Sequence, residues 1–413
     1  MRKLLTAAAC SPFELLRGTL GAALLALPAL AGDVVTLKDG KRLEGRVVRD
    51  TSRDVVVRVG SNERRVDAKD VSSVSSAARK LGEAMTVWER LSPADTRAVR
   101  ELALQCKTAE LTREARVFAL YGLTLAPLDE TLHELAGHEK RGETWLVRDG
   151  AKREAFAKRF ERKLDWGAAW ELETTHFAVR CNLPLRDAVA CAIELELCYR
   201  AFFGWFAEEL PLYEPSQPMK ANVYANSAEY PELSGRTAYF EPVANVLHVN
   251  AAGGLELGAL VHEATHQLLF NTSANTKAAL GAVPAWLDEG LAEYMAACRE
   301  GICSRAAYSK GKPNREHFAR HRTAQKPFDL SRVLAFSQGD FMASSNSDLK
   351  YSQAYTLVHF CLHGGGDEQS ARFFDFFRRA YAGKSSMTAF KDAMVVKEKE
   401  LEAAWREYVA HEG

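Results

Sequence analysis

The chain is 413 residues long, with 26% charged and 47% hydrophobic residues, a composition that supports packed cores and excludes general disorder. Lysine plus arginine and aspartate plus glutamate number 54 each, so no net field draws the protein to nucleic acid, an anionic membrane or acidic substrates. At this length two or three domains are expected.

Met1-Arg2-Lys3 is basic, and an apolar run from Leu20 to Leu30 ends in Ala29-Leu30-Ala31, the small-x-small pattern of a signal-peptidase site. Residues 1–31 are therefore expected to be a signal peptide that exports the protein to periplasm, cell surface or medium, with no stable membrane insertion after cleavage. Glu14 and Arg17 interrupt the segment, and an uncleaved anchor is the alternative. Cys10 precedes the apolar run, which speaks against lipidation; the other cysteines, Cys106, Cys181, Cys191, Cys198, Cys298, Cys303 and Cys361, form no CxxC pair. Cys298 and Cys303 are close enough in sequence for a local disulfide in an oxidising compartment, and separate half-buried thiols are the alternative.

From Asp33 to about residue 75, short runs of alternating apolar residues (DVVTL, RLEGRVV, DVVVRV) are separated by Lys38-Asp39-Gly40 and Gly60-Ser61-Asn62, which predicts a small SH3-like or Sm-like β-barrel. Its charges nearly cancel, so it is read as an accessory module and not an RNA binder. Residues 76–163 carry apolar residues at three- and four-residue spacing and are expected as a helical spacer, with a tight turn and a short extended segment at 137–146. Residues 170–413 alternate strands and helices: HFAVRC, MKANVYAN and the pair within TAYFEPVANVLHVN as strands, and residues 186–210 as a long amphipathic helix. The overall class is α+β.

A helix is expected from Leu255 to Phe270, and it contains His262-Glu263-Ala264-Thr265-His266. Residues four apart share a helix face, so both imidazoles can reach one ion, while Glu263 projects to the flank as a general base. Zn²⁺ lowers the pKa of a bound water to about 7, within reach of a carboxylate base. His317 with His321, and His359 with His363, repeat the spacing, yet neither pair has an acid after its first histidine. The first pair is read as a solvated face and the second as a partly buried helix face.

A second helix, begun by Pro284, reads Trp286-Leu287-Asp288-Glu289-Gly290-Leu291-Ala292-Glu293-Tyr294. Catalytic zinc sites commonly use three protein ligands, and Glu289 is taken as the third. Glu293, one turn further on, is expected to hold a ligating imidazole by its other ring nitrogen. A charged helix surface is the bland alternative, against which the apolar neighbours Trp286, Leu287 and Leu291 argue burial.

VHEATHQ (Val261 to Gln267) and WLDEGLAEY (Trp286 to Tyr294) resemble the gluzincin metallopeptidases, within them the peptidase-MA-like domains similar in active-site pattern to aminopeptidase N and thermolysin. The resemblance covers about 170 to 380 and implies a thermolysin/aminopeptidase-like zincin domain, with His262, His266 and Glu289 on zinc, Glu263 as base and Glu293 behind a ligand. The His266-to-Glu289 separation is a little longer than in the aminopeptidases, so Asn271 to Gly281 is the expected excursion. Tyr351-Ser352-Gln353-Ala354-Tyr355 looks like the downstream helix on which those enzymes carry an oxyanion-stabilising tyrosine; Tyr351 is the first candidate and Tyr355 the reserve. The Gly-x-Met-Glu-Asn segment that grips a free α-amine is absent, so aminopeptidase activity is not implied. The Thr237-to-Asn250 region is expected to include the sheet edge along which an extended substrate lies.

No GxSxG, Walker or GxGxxG sequence offers another chemistry, and Gly364-Gly365-Gly366 reads as a helix stop. The expected function is an exported zinc peptidase acting on peptide or protein substrates. The alternatives are a non-catalytic scaffold that binds peptide or zinc, which a plugged site would favour, and a zinc amidase acting on a non-protein amide.

Overall fold

The computed structural model describes residues 32–149, 152–231, 236–273, 283–301, 307–343 and 345–412. The expected signal segment 1–31, Cys303 and most of the expected 271–281 excursion lie outside the described residues.

Strands β1 (Asp33–Leu37), β2 (Arg42–Asp50), β3 (Asp54–Val59), β4 (Asn62–Asp67) and β5 (Val71–Ser75) pair antiparallel in the order β4-β3-β2-β1-β5. Val35, Val47, Val55 and Val57 give this sheet a small core of its own. Helices α1 (Ala77–Arg90), α2 (Thr96–Thr108), α3 (Thr112–Leu125) and α4 (Glu130–Ala136) follow. Ser76, Asp95 and Asp129 cap α1, α2 and α4, each accepting from a backbone N–H three residues on.

The helical reading of 76–163 holds to Ala136, the expected turn and extended segment at 137–146 follow, and beyond them strands replace most of the expected helix. Gly137 takes a left-handed conformation that ends α4. A meander of β6 (Glu139–Arg141), β7 (Thr144–Asp149) and β8 (Lys152–Ala155) then precedes the single turn α5 (Phe156–Arg159). Nor do the helices stand apart as a spacer: one buried cluster runs from Leu81 to Val409 and includes α1 to α4.

A second sheet is built from β9 (Trp170–Glu173), β10 (Phe177–Cys181) and, after α6 (Leu185–Phe206), from β11 (Met219–Tyr224), β12 (Ala238–Glu241) and β13 (Val246–Asn250). Its order is β12-β13-β11-β10-β9, with β10, β11 and β13 parallel and the two outer strands antiparallel to their neighbours. Strand β12 is thus a sheet edge. The rest is mainly helical: α7 (Leu257–Asn271), α8 (Ala285–Cys298), the short pair β14 (Arg299–Glu300) and β15 (Ala307–Tyr308), α9 (Arg315–Thr323), α10 (Leu330–Leu334), α11 (Gln338–Met342), α12 (Ser347–His363), α13 (Gly366–Tyr381), α14 (Met387–Met394) and α15 (Glu398–His411). The class is α+β, and no helix among the described residues is long and apolar enough to cross a membrane.

Helix α6 is not amphipathic as expected, because β9 and β10, α3 and α7 pack around it and bury Glu194 and Glu196 along with its apolar residues. Each acid finds a distant partner: Glu194 takes Arg299 Nε at 2.9 Å and the Tyr308 hydroxyl at 2.7 Å, while Glu196 Oε2 lies 2.7 Å from His176 Nδ1. The other His176 nitrogen, Nε2, is 3.2 Å from Glu214, to which the Tyr199 hydroxyl also donates. The Tyr199 ring stacks on the imidazole at 3.5 Å between centroids. Glu214 in turn ties to the first sheet, its N–H donating to Val48 O at 2.8 Å.

Burial opposes charge on His176, but the two carboxylates outweigh it and push its pKa from an ordinary 6.5 up to about 10. Burial would likewise raise Glu196, yet His176 holds it below its ordinary range. A raised histidine pKa contributes stability that is complete below the unfolded value and is lost as pH climbs through the folded one. The Tm advantage of the wild type over His176→Gln is therefore expected to be largest near pH 6.5 and to shrink toward pH 10, as read by thermal unfolding of both proteins across that range. A difference that stays constant with pH would show that the charge pair does not operate.

Candidate metal centre

Helix α7 carries His262 and His266 one turn apart, and α8 lies against it with Glu289 facing both. Their donor atoms converge: His262 Nε2 is 3.2 Å from His266 Nε2 and 3.3 Å from Glu289 Oε2, and His266 Nε2 is 3.4 Å from the same oxygen. Donors placed about 2.0–2.2 Å from a tetrahedral zinc ion stand roughly 3.3–3.5 Å from one another. The three residues are thus spaced as the edges of such a shell. Glu289 Oε2 is buried and has no hydrogen-bond partner among the described residues, an arrangement that costs free energy unless a cation sits beside it. Residues of this kind, in this spacing, fit a zinc ion.

Each imidazole is oriented from behind. His266 Nδ1 lies 2.8 Å from Asp288 Oδ1, and Gln338 Nε2 donates to the other Asp288 oxygen at 3.1 Å. His262 Nδ1 lies 3.4 Å from Glu293 Oε1. Glu293 Oε2 meets His317 Nε2 at 3.1 Å, and His317 Nδ1 meets Ser352 Oγ at 3.0 Å. Burial opposes protonation of His262, but Glu289 and Glu293 outweigh it and push its pKa up to about 10. For His266 burial is likewise overcome, by Asp288 and Glu289, and the value rises well above the ordinary one. Burial alone would raise Glu293; the His262 and His317 imidazoles hold it well below the carboxylate range. Three carboxylates therefore gather positive charge here, and a divalent ion that binds must release protons from the imidazoles.

The site opens into a cleft of about 780 Å³, lined by His262, Glu263, His266, Asp288 and Glu289 on one wall and by Thr237, Ala238 and Phe240 of the β12 edge on another. Tyr351 closes the cleft from α12, its ring centroid 6.2 Å from that of His262. Tyr355, the reserve candidate, is fully buried and its hydroxyl accepts the Asn314 N–H at 2.7 Å, so it does not reach the cleft.

The β12 edge is clamped to α7. Gln267 Nε2 donates to Lys220 O at 3.0 Å and to Asn245 O at 3.3 Å, while Asn245 and Asn271 exchange side-chain hydrogen bonds at 2.7 and 2.9 Å. Asn245 takes a positive φ of 53° in the hairpin turn, a conformation that asparagine tolerates.

The reading of His317 and His321 as a solvated face is wrong. His321 is buried between Thr356 Oγ1 at 2.9 Å and Gln353 Nε2 at 3.2 Å, and His317 braces Glu293, because α9 packs between α12 and α15. His359 and His363 serve the core, meeting the hydroxyls of Tyr408 at 2.8 Å and Tyr294 at 3.0 Å. Cys298, expected either as half of a local disulfide or as a half-buried thiol, is a fully buried free thiol. Sequence reasoning missed Asp288, although an acid next to the third ligand was a usable signal. It also missed His317, whose partner is distant in sequence.

A family model described as "Protein of unknown function (DUF1570)" matches residues 256–384, less than half of the chain, and takes in α7, α8 and α12 with their site residues. No curated protein matches the chain.

Removing a partner behind a ligand is expected to loosen metal binding by about 10- to 100-fold. Asp288→Asn and Glu293→Gln should each show this in competition with a chelator. Unchanged affinity in both variants would mean that these acids do not orient the imidazoles.

Proposed function

We propose that the chain is an exported zinc peptidase whose C-terminal part has a gluzincin-type zincin fold and whose first sheet is an SH3-like barrel. The observation that carries this reading is the tetrahedral-edge spacing of His262, His266 and Glu289 around an unpartnered buried carboxylate oxygen, at the floor of an open cleft. A scaffold with a plugged site would lack such a cleft, and among the described residues nothing fills it. Export rests on the sequence of residues 1–31.

His262, His266 and Glu289 would hold the ion, and zinc so held supplies Lewis acidity toward a carbonyl and lowers the pKa of a water to about 7. Glu263 lines the cleft beside these residues, placed to take a proton from attacking water and pass it to the leaving amine. Tyr351 stands on the far side, where its hydroxyl can donate to the oxygen on which negative charge develops. Strand β12 offers a sheet edge to an extended peptide, with alternate side chains facing the cleft. Asp288 and Glu293 fix the imidazoles so that their Nε2 atoms face the ion.

The purified protein is expected to contain about one zinc per chain by elemental analysis, lost in His262→Ala and in Glu289→Ala. Glu263→Gln should keep the metal and lose turnover of a peptide library. A metal-free protein that takes up no added zinc, or wild-type turnover by Glu263→Gln, would overturn the assignment. Tyr351→Phe should retain zinc and lower kcat by about 10²- to 10³-fold with little change in KM, as steady-state kinetics would read. An unaltered kcat would remove Tyr351 from the chemistry.

A further inference from the structure

The cleft is strongly acidic on its metal side, where Glu263, Asp288, Glu289 and Asp348 line it. Against these stands one guanidinium: among the described lining residues Arg236 is the sole lysine or arginine. Arg236 is exposed, and no hydrogen bond or ion pair engages it among the described residues. It lines the same cleft as Glu263 and Tyr351. The Tyr230 ring lies 5.9 Å from that of Tyr239, and its buried hydroxyl has no hydrogen-bond partner among the described residues.

Position along the edge strand matters as much as charge. Arg236 and Thr237, just before β12, line the cleft, and from there Ala238, Phe240 and Pro242 line it alternately, while Tyr239 between them is buried and Glu241 lies 3.5 Å from His248 on the neighbouring strand. A peptide laid along β12 therefore meets a cation at one end, a small alanine in the middle and an apolar pocket at the other. Phe240, Phe270, Leu269 and Val283 form that pocket, with the two phenylalanine rings 5.6 Å apart. Arg236 and Phe240 are four positions apart in sequence, a span of at most roughly 14 Å.

Resting on the peptidase reading above, we propose that Arg236 binds a carboxylate of the peptide laid along β12, and that an apolar side chain about four residues away fills the Phe240–Phe270 pocket. The planar fork of a guanidinium matches a carboxylate in two parallel hydrogen bonds. Without it, four carboxylates would repel an anionic ligand from this cleft. The carboxylate is either a free C-terminus or an aspartate or glutamate side chain, and the same chemistry serves both.

Binding tests this without depending on turnover. Zinc-loaded Glu263→Gln protein is titrated calorimetrically with N-acetylated hexapeptides of one sequence containing a phenylalanine. One pair differs as C-terminal carboxylate against carboxamide, the other as aspartate against asparagine four residues from the phenylalanine. One acidic form is expected to bind about tenfold tighter than its neutral twin, and which pair shows this identifies the source of the carboxylate. Adding Arg236→Ala should bring the twins within about twofold of each other, while Arg236→Lys should keep part of the difference. Equal binding of both pairs, binding of no peptide, or a preference that survives Arg236→Ala overturns the inference. The peptidase reading fails on a separate result, zinc-loaded wild type that turns over no peptide at all. Turnover of neutral and acidic peptides at equal kcat/KM would sink the inference alone.

Discussion

A buried carboxylate oxygen without a hydrogen-bond partner dictates the arrangement around it. Glu289 Oε2 sits 3.3 and 3.4 Å from two imidazole nitrogens that are themselves only 3.2 Å apart. Protonating both imidazoles would satisfy the carboxylates but set two N–H groups against each other at that distance. Leaving both neutral would strand Glu289 with its charge buried, at a cost of several kcal/mol. One divalent cation at the shared focus would resolve both problems, and the proposed metal reading rests on that fit. Asp288 and Glu293 each stand behind one of the two imidazoles, on its far side from Glu289.

Holding that focus requires three helices at fixed separations. At Gly290, next to the third ligand, a Cβ would stand 2.5 Å from Ala354 O, so α8 and α12 approach more closely than any side chain would permit. That approach sets Tyr351, one turn before Ala354, over the face of α8 that carries Glu289. The Gln267 and Asn271 clamps fix α7 against the β12–β13 hairpin in the same way. The β12 edge, the two histidines and Tyr351 are thus positioned by backbone contacts and amide hydrogen bonds close by in the chain. A methyl added at Gly290 would displace Tyr351 and Glu289 together.

What the sequence made legible was the local part. Four-residue spacing on one helix fixes where His262 and His266 face regardless of tertiary structure, and the apolar run around Glu289 and Glu293 marked a buried helix. The reading failed where a partner came from far along the chain. Glu194 and Glu196 look like the solvent face of an amphipathic helix until Arg299 and His176 are seen beside them. His317 looks solvated until Glu293 is. Of the meander at 139–155 the sequence showed the turn and extended segment at 137–146 but not β8, whose four residues are too few for alternation to declare itself among charged side chains. Arg236 carried no signal, since its meaning lies in which wall of the cleft it joins.

Net charge misleads for the same reason. Equal numbers of acids and bases over the whole chain exclude a long-range field, and from that balance the protein has no attraction to anionic ligands. Recognition, however, is decided within a Debye length, about 8 Å at physiological salt. On that scale the cleft is far from neutral: four carboxylates and two imidazoles line it, and among the described lining residues Arg236 is the sole guanidinium. A cation in the site would cancel much of the acid charge on the floor and leave Arg236 as the one basic side chain among the described lining residues of the cleft. Under the proposed reading, loading a metal would change the field that an incoming peptide meets, and the ion would contribute to selection before it contributes to chemistry.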